Sequence, residues 1–186
     1  MAVGSTRGWM AKSWPGAARW VLGLAVLVGT VGCTSGDEPY AVPERVCGVA
    51  LDQAVVRAVL PAGEKVSGYG EPLTRRYGVC GLLVDGRPAV RIAFGTEEKL
   101  YSPVEAAPTK FSNGEEISLE FPGRGALDDD YVMILAECGL PERPHIIATM
   151  QVPPPGGATA HASRTNLERF AVDYMAGAKR ELGCPS

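Results

Sequence analysis

The chain has 186 residues, of which 46% are hydrophobic and 21% charged, a globular composition that excludes a disordered or collagen-like polypeptide. That length accommodates one ordinary domain and is short for two well-buried domains plus a long tail. The net charge is −3 and every acidic residue follows position 32, so there is no basic footprint for nucleic acid and no nucleic-acid partner is expected.

Residues 1–19 carry Arg7, Lys12 and Arg19 with no acidic residue, and thirteen uncharged, mostly apolar residues from Trp20 to Gly32 follow. A spanning helix takes about 20 apolar residues, so residues 1–32 read as a secretory signal peptide. Gly32 precedes Cys33, and a polar stretch from Thr34 to Pro39 follows it. Thr30-Val31-Gly32-Cys33 resembles the bacterial lipobox, departing from it at Thr30, where leucine is usual. The resemblance implies that the Cys33 thiol takes a lipid (diacylglyceryl, palmitate-type chains) and becomes the N-terminus after cleavage. Two acyl chains anchor stably where one is marginal. The expected location is the extracytoplasmic face of the cell membrane, with the bilayer as partner through Cys33.

Residues 33–46 read as a polar tether containing Pro39 and Pro43, with a reach of at most about 45 Å. The single α+β domain is expected over 47–186. Leu51, Val55, Ala58 and Val59 form one face of a short helix that Pro61-Ala62-Gly63 ends. Residues 64–77, with Gly68, Gly70 and Pro72, read as a loop. Two strands, 79–84 and 89–94, flank Asp85-Gly86, a tight hairpin turn. Pro88 cannot donate to a ladder and suggests an edge strand. Asn113-Gly114 suggests a second hairpin leading into Ile117, Leu119 and Phe121, and residues 123–130 read as a turn. Residues 131–136 form a continuous apolar strand, and 145–152 another. The last element is a helix with Thr165 and Glu168 spaced as a capping box, a stripe of Leu167, Phe170, Ala171, Tyr174, Ala178 and Leu182, and Gly183 at its end. This order predicts an α+β fold: a mostly antiparallel sheet of about five strands, with two helices packed on one face and two disulfides.

Cys47, Cys80, Cys138 and Cys184 remain after Cys33, an even number suited to two disulfides with three possible connectivities. Cys47–Cys80 with Cys138–Cys184 closes the shortest non-overlapping loops. No short Cys-x-x-Cys hook favours zinc, so no metal and no cofactor is expected.

Nothing assembles into a known catalytic pattern, and no catalytic residue is assigned. His145 and His161 are the only histidines, and no Gly-x-Ser-x-Gly elbow surrounds a serine. Asp128-Asp129-Asp130 lacks calcium-loop spacing. Glu97-Glu98 and Glu115-Glu116 have no motif for glycoside cleavage around them, and Arg75-Arg76 reads as a solvated loop pair. Trp9, Trp14 and Trp20 all precede Cys33, so sugar platforms would have to come from Tyr40, Tyr69, Tyr77, Tyr101, Tyr131 or Tyr174.

The lipobox-like cysteine, tether, Cys-Gly before a helix, cysteine on a strand and terminal helix ending in Gly-Cys together resemble the small secreted lipoproteins of actinobacteria. The resemblance implies a cell-envelope location and two disulfides, and it carries no active site. The expected function is a membrane-anchored, non-catalytic binding or accessory domain with an envelope protein or small ligand as partner. The alternative is a cell-envelope hydrolase with a non-standard site.

Overall fold

The computed structural model describes residues 40–71, 73, 77–153 and 162–185. In chain order these form β1 (Arg45–Val46), β2 (Val49–Ala50), α1 (Gln53–Arg57), β3 (Val66–Gly70), β4 (Gly78–Val84), β5 (Arg87–Glu97), α2 (Pro103–Ala106), β6 (Glu115–Ile117), β7 (Gly123–Leu127), β8 (Tyr131–Leu140), β9 (Arg143–Gln151) and α3 (Arg164–Glu181). The large sheet runs β3-β4-β5-β9-β8-β7-β6, with every neighbouring pair antiparallel. It consists of two meanders, β3 to β5 and β6 to β9. They join where Arg91–Glu97 of β5 pairs with His145–Gln151 of β9.

The sheet therefore has seven strands, not about five, with a separate two-stranded ribbon of β1 and β2, and there are three helices instead of two. Two of the extra strands are glycine-rich: Val-Ser-Gly-Tyr-Gly in β3 and Gly-Arg-Gly-Ala-Leu in β7 lack the β-branched runs that mark strands in a sequence. Asn113-Gly114 turns no hairpin, because the chain before it is the crossover from β5 that carries α2. Pro88 does not mark an edge either. It lies in the interior strand β5, opposite Leu83 at a register shift and before the stretch that pairs with β9, so its missing N–H deprives no partner.

Period-two alternation divides the side chains between two faces. On one face Leu82, Ile92, Val132, Ile134, Ala148 and Met150 pack with Val55 and Val56 of α1 and with Leu167, Phe170 and Tyr174 of α3. On the other, Met133 and Leu135 pack with Ala126, Phe111 and the crossover residues Val104 and Ala107. So α1 and α3 share a face as expected, and α2 takes the opposite one. Tyr40, Val42 and Val46 are buried in the main core, which brings the packed domain back to at least Tyr40.

Local signals explain how α3 begins and ends. Ser163 is its N-cap, the hydroxyl accepting from Asn166 N–H at 3.2 Å, so the cap lies two residues before the Thr165 of the expected capping box. At the other end Gly183 N–H donates to Arg180 O and Cys184 N–H to Lys179 O, with Gly183 at φ 71°. This pair of bonds closes the helix and turns Cys184 toward β8. The Asp85-Gly86 turn has φ values of 50° and 76°, as a two-residue hairpin requires. The Asp85 carboxylate also accepts from the Glu64 and Lys65 N–H groups, tying the start of β3 to this turn.

Gly177 lets α3 touch the ribbon. A Cβ built there would lie 2.4 Å from Val49 Cγ1. We expect Gly177→Ala to lower unfolding free energy by about 1–2 kcal/mol despite alanine's helix preference of about 1 kcal/mol. In a Val49→Ala background the same substitution should become neutral or stabilising in urea titration. An identical cost in both backgrounds would show that the contact does not govern this site.

Candidate functional site

Cys33, His161 and Arg75-Arg76 lie outside the described residues. The other four cysteines form Cys47–Cys80 and Cys138–Cys184, with Cα separations of 5.8 and 4.6 Å. The first fastens the turn of the β1–β2 ribbon, where Cys47 has φ 53°, to β4. The second fastens the end of α3 to β8. Each constrains the unfolded chain by closing a loop of 33 or 46 residues, worth roughly 4 kcal/mol on the chain-entropy account.

The polar residues that suggested chemistry are spread along the sheet. His145 stands near the start of β9, in register with Glu97 of β5 and Glu137 of β8. Its Nδ1 is buried without a hydrogen-bond partner among the described residues. Glu97 is engaged with Tyr101, whose pKa is raised by burial first and by the charge and hydrogen bond of Glu97 second. The aspartate run lies at the other end of β8. Tyr131, next to Asp130, pairs with Gln151 and Glu137 pairs with His145, a separation of six strand residues or about 20 Å.

Asp128 is a structural residue. It is 6% exposed and its carboxylate accepts from Asn113 N–H at 2.9 Å and from Asp129 N–H at 2.7 Å. Arg164, in the first turn of α3, donates to the carbonyls of Asn113 and Leu127 at 3.1 Å each and pairs with Glu115 and Asp129 at 3.5 Å. Glu116 receives Ser102 and Arg124, both at 3.1 Å. These carboxylates are thus occupied in fastening the helix and the crossover to β6 and the β7–β8 turn. Among the described residues no three His, Cys, Asp or Glu side chains are grouped to hold a metal ion.

Among the described residues, besides open hollows of about 410 and 350 Å³ over the β8–β9 turn at Pro141, Glu142 and Arg143, three surfaces bear on binding. Between α3 and the sheet, Leu73, Phe94, Ile146, Ala148, Met175 and Tyr174 line a space of about 10 Å³, room for one water molecule. The Tyr174 hydroxyl there is buried and has no protein partner, and desolvation pushes its pKa far up. On the opposite face of the sheet, Tyr77 and Val79 are 61% and 38% exposed. The Tyr77 ring occupies the position that a side chain at Gly95 would take.

The third surface is a groove of about 320 Å³ between the ribbon and β3, walled by Pro43, Arg45 and Gly48 and floored by Leu82, Gly68, Gly70 and the Cys47–Cys80 disulfide. Sequence reading misses it because the glycines that leave it open also make β3 look like a loop. Its trace in the sequence is the alternation of Val66, Gly68 and Gly70 with Ser67 and Tyr69. No family model, no curated protein and no solved structure matches the chain.

The buried phenol makes a pH prediction. Tyr174 stays protonated in the folded state above pH 10, where the unfolded tyrosine ionises, so its contribution to stability is intact below about pH 10 and is lost as pH rises. Tyr174→Phe should remove up to about 1.4 kcal/mol per pH unit of that loss, read by urea unfolding between about pH 9 and about pH 11. Parallel pH profiles for both proteins would contradict the burial of this hydroxyl.

Proposed function

We propose that the protein is a membrane-anchored extracytoplasmic lipoprotein whose domain serves as a non-catalytic binding or accessory module in the cell envelope. The carrying observation is the position of Cys33, directly after an apolar run and seven residues before Tyr40, the first of the described residues and a buried one. The pair of disulfides suits an oxidising compartment and a domain that must persist outside the cytoplasm. No helix among the described residues is long and apolar enough to cross a membrane; the attachment proposed is the lipid on Cys33. A mildly acidic chain gains nothing from anionic lipid by charge, which leaves the acyl chains to supply the affinity.

The binding role rests on how the polar residues are used. Asp128, Glu115, Glu116 and Asp129 are joined to structural partners, and His145 stands about 20 Å along β8 from the aspartate run. A hydrolytic site would need such groups within hydrogen-bond reach of one reacting atom.

Cys33→Ala should move the protein from the membrane fraction to the soluble fraction and abolish incorporation of radiolabelled palmitate. Retention of the variant in the membrane with unchanged labelling would refute the anchor.

A further inference from the structure

The two edges of the large sheet are finished differently. β6 has three residues, two of them glutamates, and both are held in ion pairs, with Arg164 and Arg124. Charge and shortness protect such an edge against added strands. β3 has five residues, Val-Ser-Gly-Tyr-Gly, with no charge and no proline, and Ser67, Gly68 and Gly70 are exposed.

The ladder fixes which backbone groups of β3 are free. Glu71 N–H donates to Val79 O, and Asp85 N–H to Lys65 O, on either side of the β3–β4 register. In an antiparallel pair, bonded and non-bonded positions alternate, so Ser67 and Tyr69 bond inward to β4. Val66 and Gly68 turn their N–H and C=O groups outward, and Gly70, at φ 86°, ends the regular strand. These residues also share the face of Leu82 and Cys80, the floor of the 320 Å³ groove. A residue on an added strand opposite Gly68 would project its side chain into that groove, against the half-buried Pro43 and Cys47, with Leu82 and Cys80 closed off beneath them.

We propose that the β3 edge and this groove form a docking site for an extended peptide segment of a partner protein, added as an eighth strand with one apolar side chain opposite Gly68. This deepens the binding reading by naming its surface and does not depend on the lipid. A second copy of this chain fits less well. Two-fold pairing centred on Gly68 would set glycine against glycine and leave the groove unfilled, and five edge residues per copy are few against the ~1,200 Å² that a stable dimer buries. A peptide strand draws its affinity from main-chain bonds and its specificity from pockets for alternate side chains, and this edge offers both.

The test is selection of random heptapeptides displayed on phage against the full-length protein in detergent. An enriched peptide, synthesised with capped ends, is then measured by fluorescence polarisation. Enriched sequences should carry an apolar residue at a fixed central position, and N-methylation of the peptide should abolish binding at every second amide. Gly68→Pro, which removes an outward N–H and spares the β4 ladder, should weaken binding about tenfold or more. Gly68→Leu, which fills the groove, should do the same without touching any N–H. Circular dichroism and the absence of alkylatable thiols other than Cys33 check that each variant is folded. If Gly68→Pro does not fold, the Gly68→Leu result and the N-methylation pattern decide.

Peptides that bind equally to both variants would place binding elsewhere and overturn the site while leaving the binding reading standing. Failure to enrich any peptide would likewise overturn the site. A dimer in light scattering that Gly68→Pro dissociates would overturn the peptide in favour of self-association.

Discussion

The pairing of β5 with β9 holds the domain together. Residues 91–97 meet residues 145–151 in unbroken register, and without those bonds the chain would be two separate meanders with two open edges between them. The main core draws side chains from both sides of this seam. Ile92 from the first meander and Ala148 and Met150 from the second lie beneath Phe170 and Tyr174 of α3, so the helix covers a joint between segments distant in sequence. Long-range pairing costs chain entropy before it returns any bond. The disulfides fasten the two sides of this seam, one within the first meander's side and one between β8 and the helix that covers it, and neither closes the loop between Glu97 and His145.

What was legible in the sequence follows from how locally each feature is determined. The hairpin at Asp85-Gly86 needs only positive φ at adjacent residues, and α3 needs only an apolar stripe and a glycine stop. Both are visible in a dozen residues or so. The disulfide partners were within reach of loop arithmetic because the four cysteines fall in order along the chain. The strands that escaped notice are those whose residues serve a neighbour more than themselves. β7 is glycine-rich where a Cβ at Gly125 would come within 2.7 Å of Ile117, and β3 is glycine-rich beside the groove. Pro88 misled because its tolerance depends on where β9 begins to pair, which no local pattern records.

The candidate sites show the same division. Acidic runs look like chemistry in a sequence, but Asp128 caps backbone N–H groups, and Glu115 and Asp129 hold Arg164. The groove at β3 came into view only once the ribbon, the edge strand and the Cys47–Cys80 bond were placed together. No single residue there has a signature: a Cβ at Gly68 would meet no close neighbour, while Gly70 is a glycine for its φ of 86° and its close approach to Val79 O.

On the proposed account a lipid holds the N-terminus at the membrane and a doubly stapled sheet presents an open edge a short tether away. The most direct measurement is intact mass spectrometry of the protein purified from its native membrane, with thiol alkylation before and after reduction. The account predicts a chain that begins at Cys33 with the mass of a diacylglyceryl group or more, no alkylation before reduction and four alkylated thiols after it. An unmodified Cys33 within a longer chain, or thiols that alkylate without reduction, would contradict it.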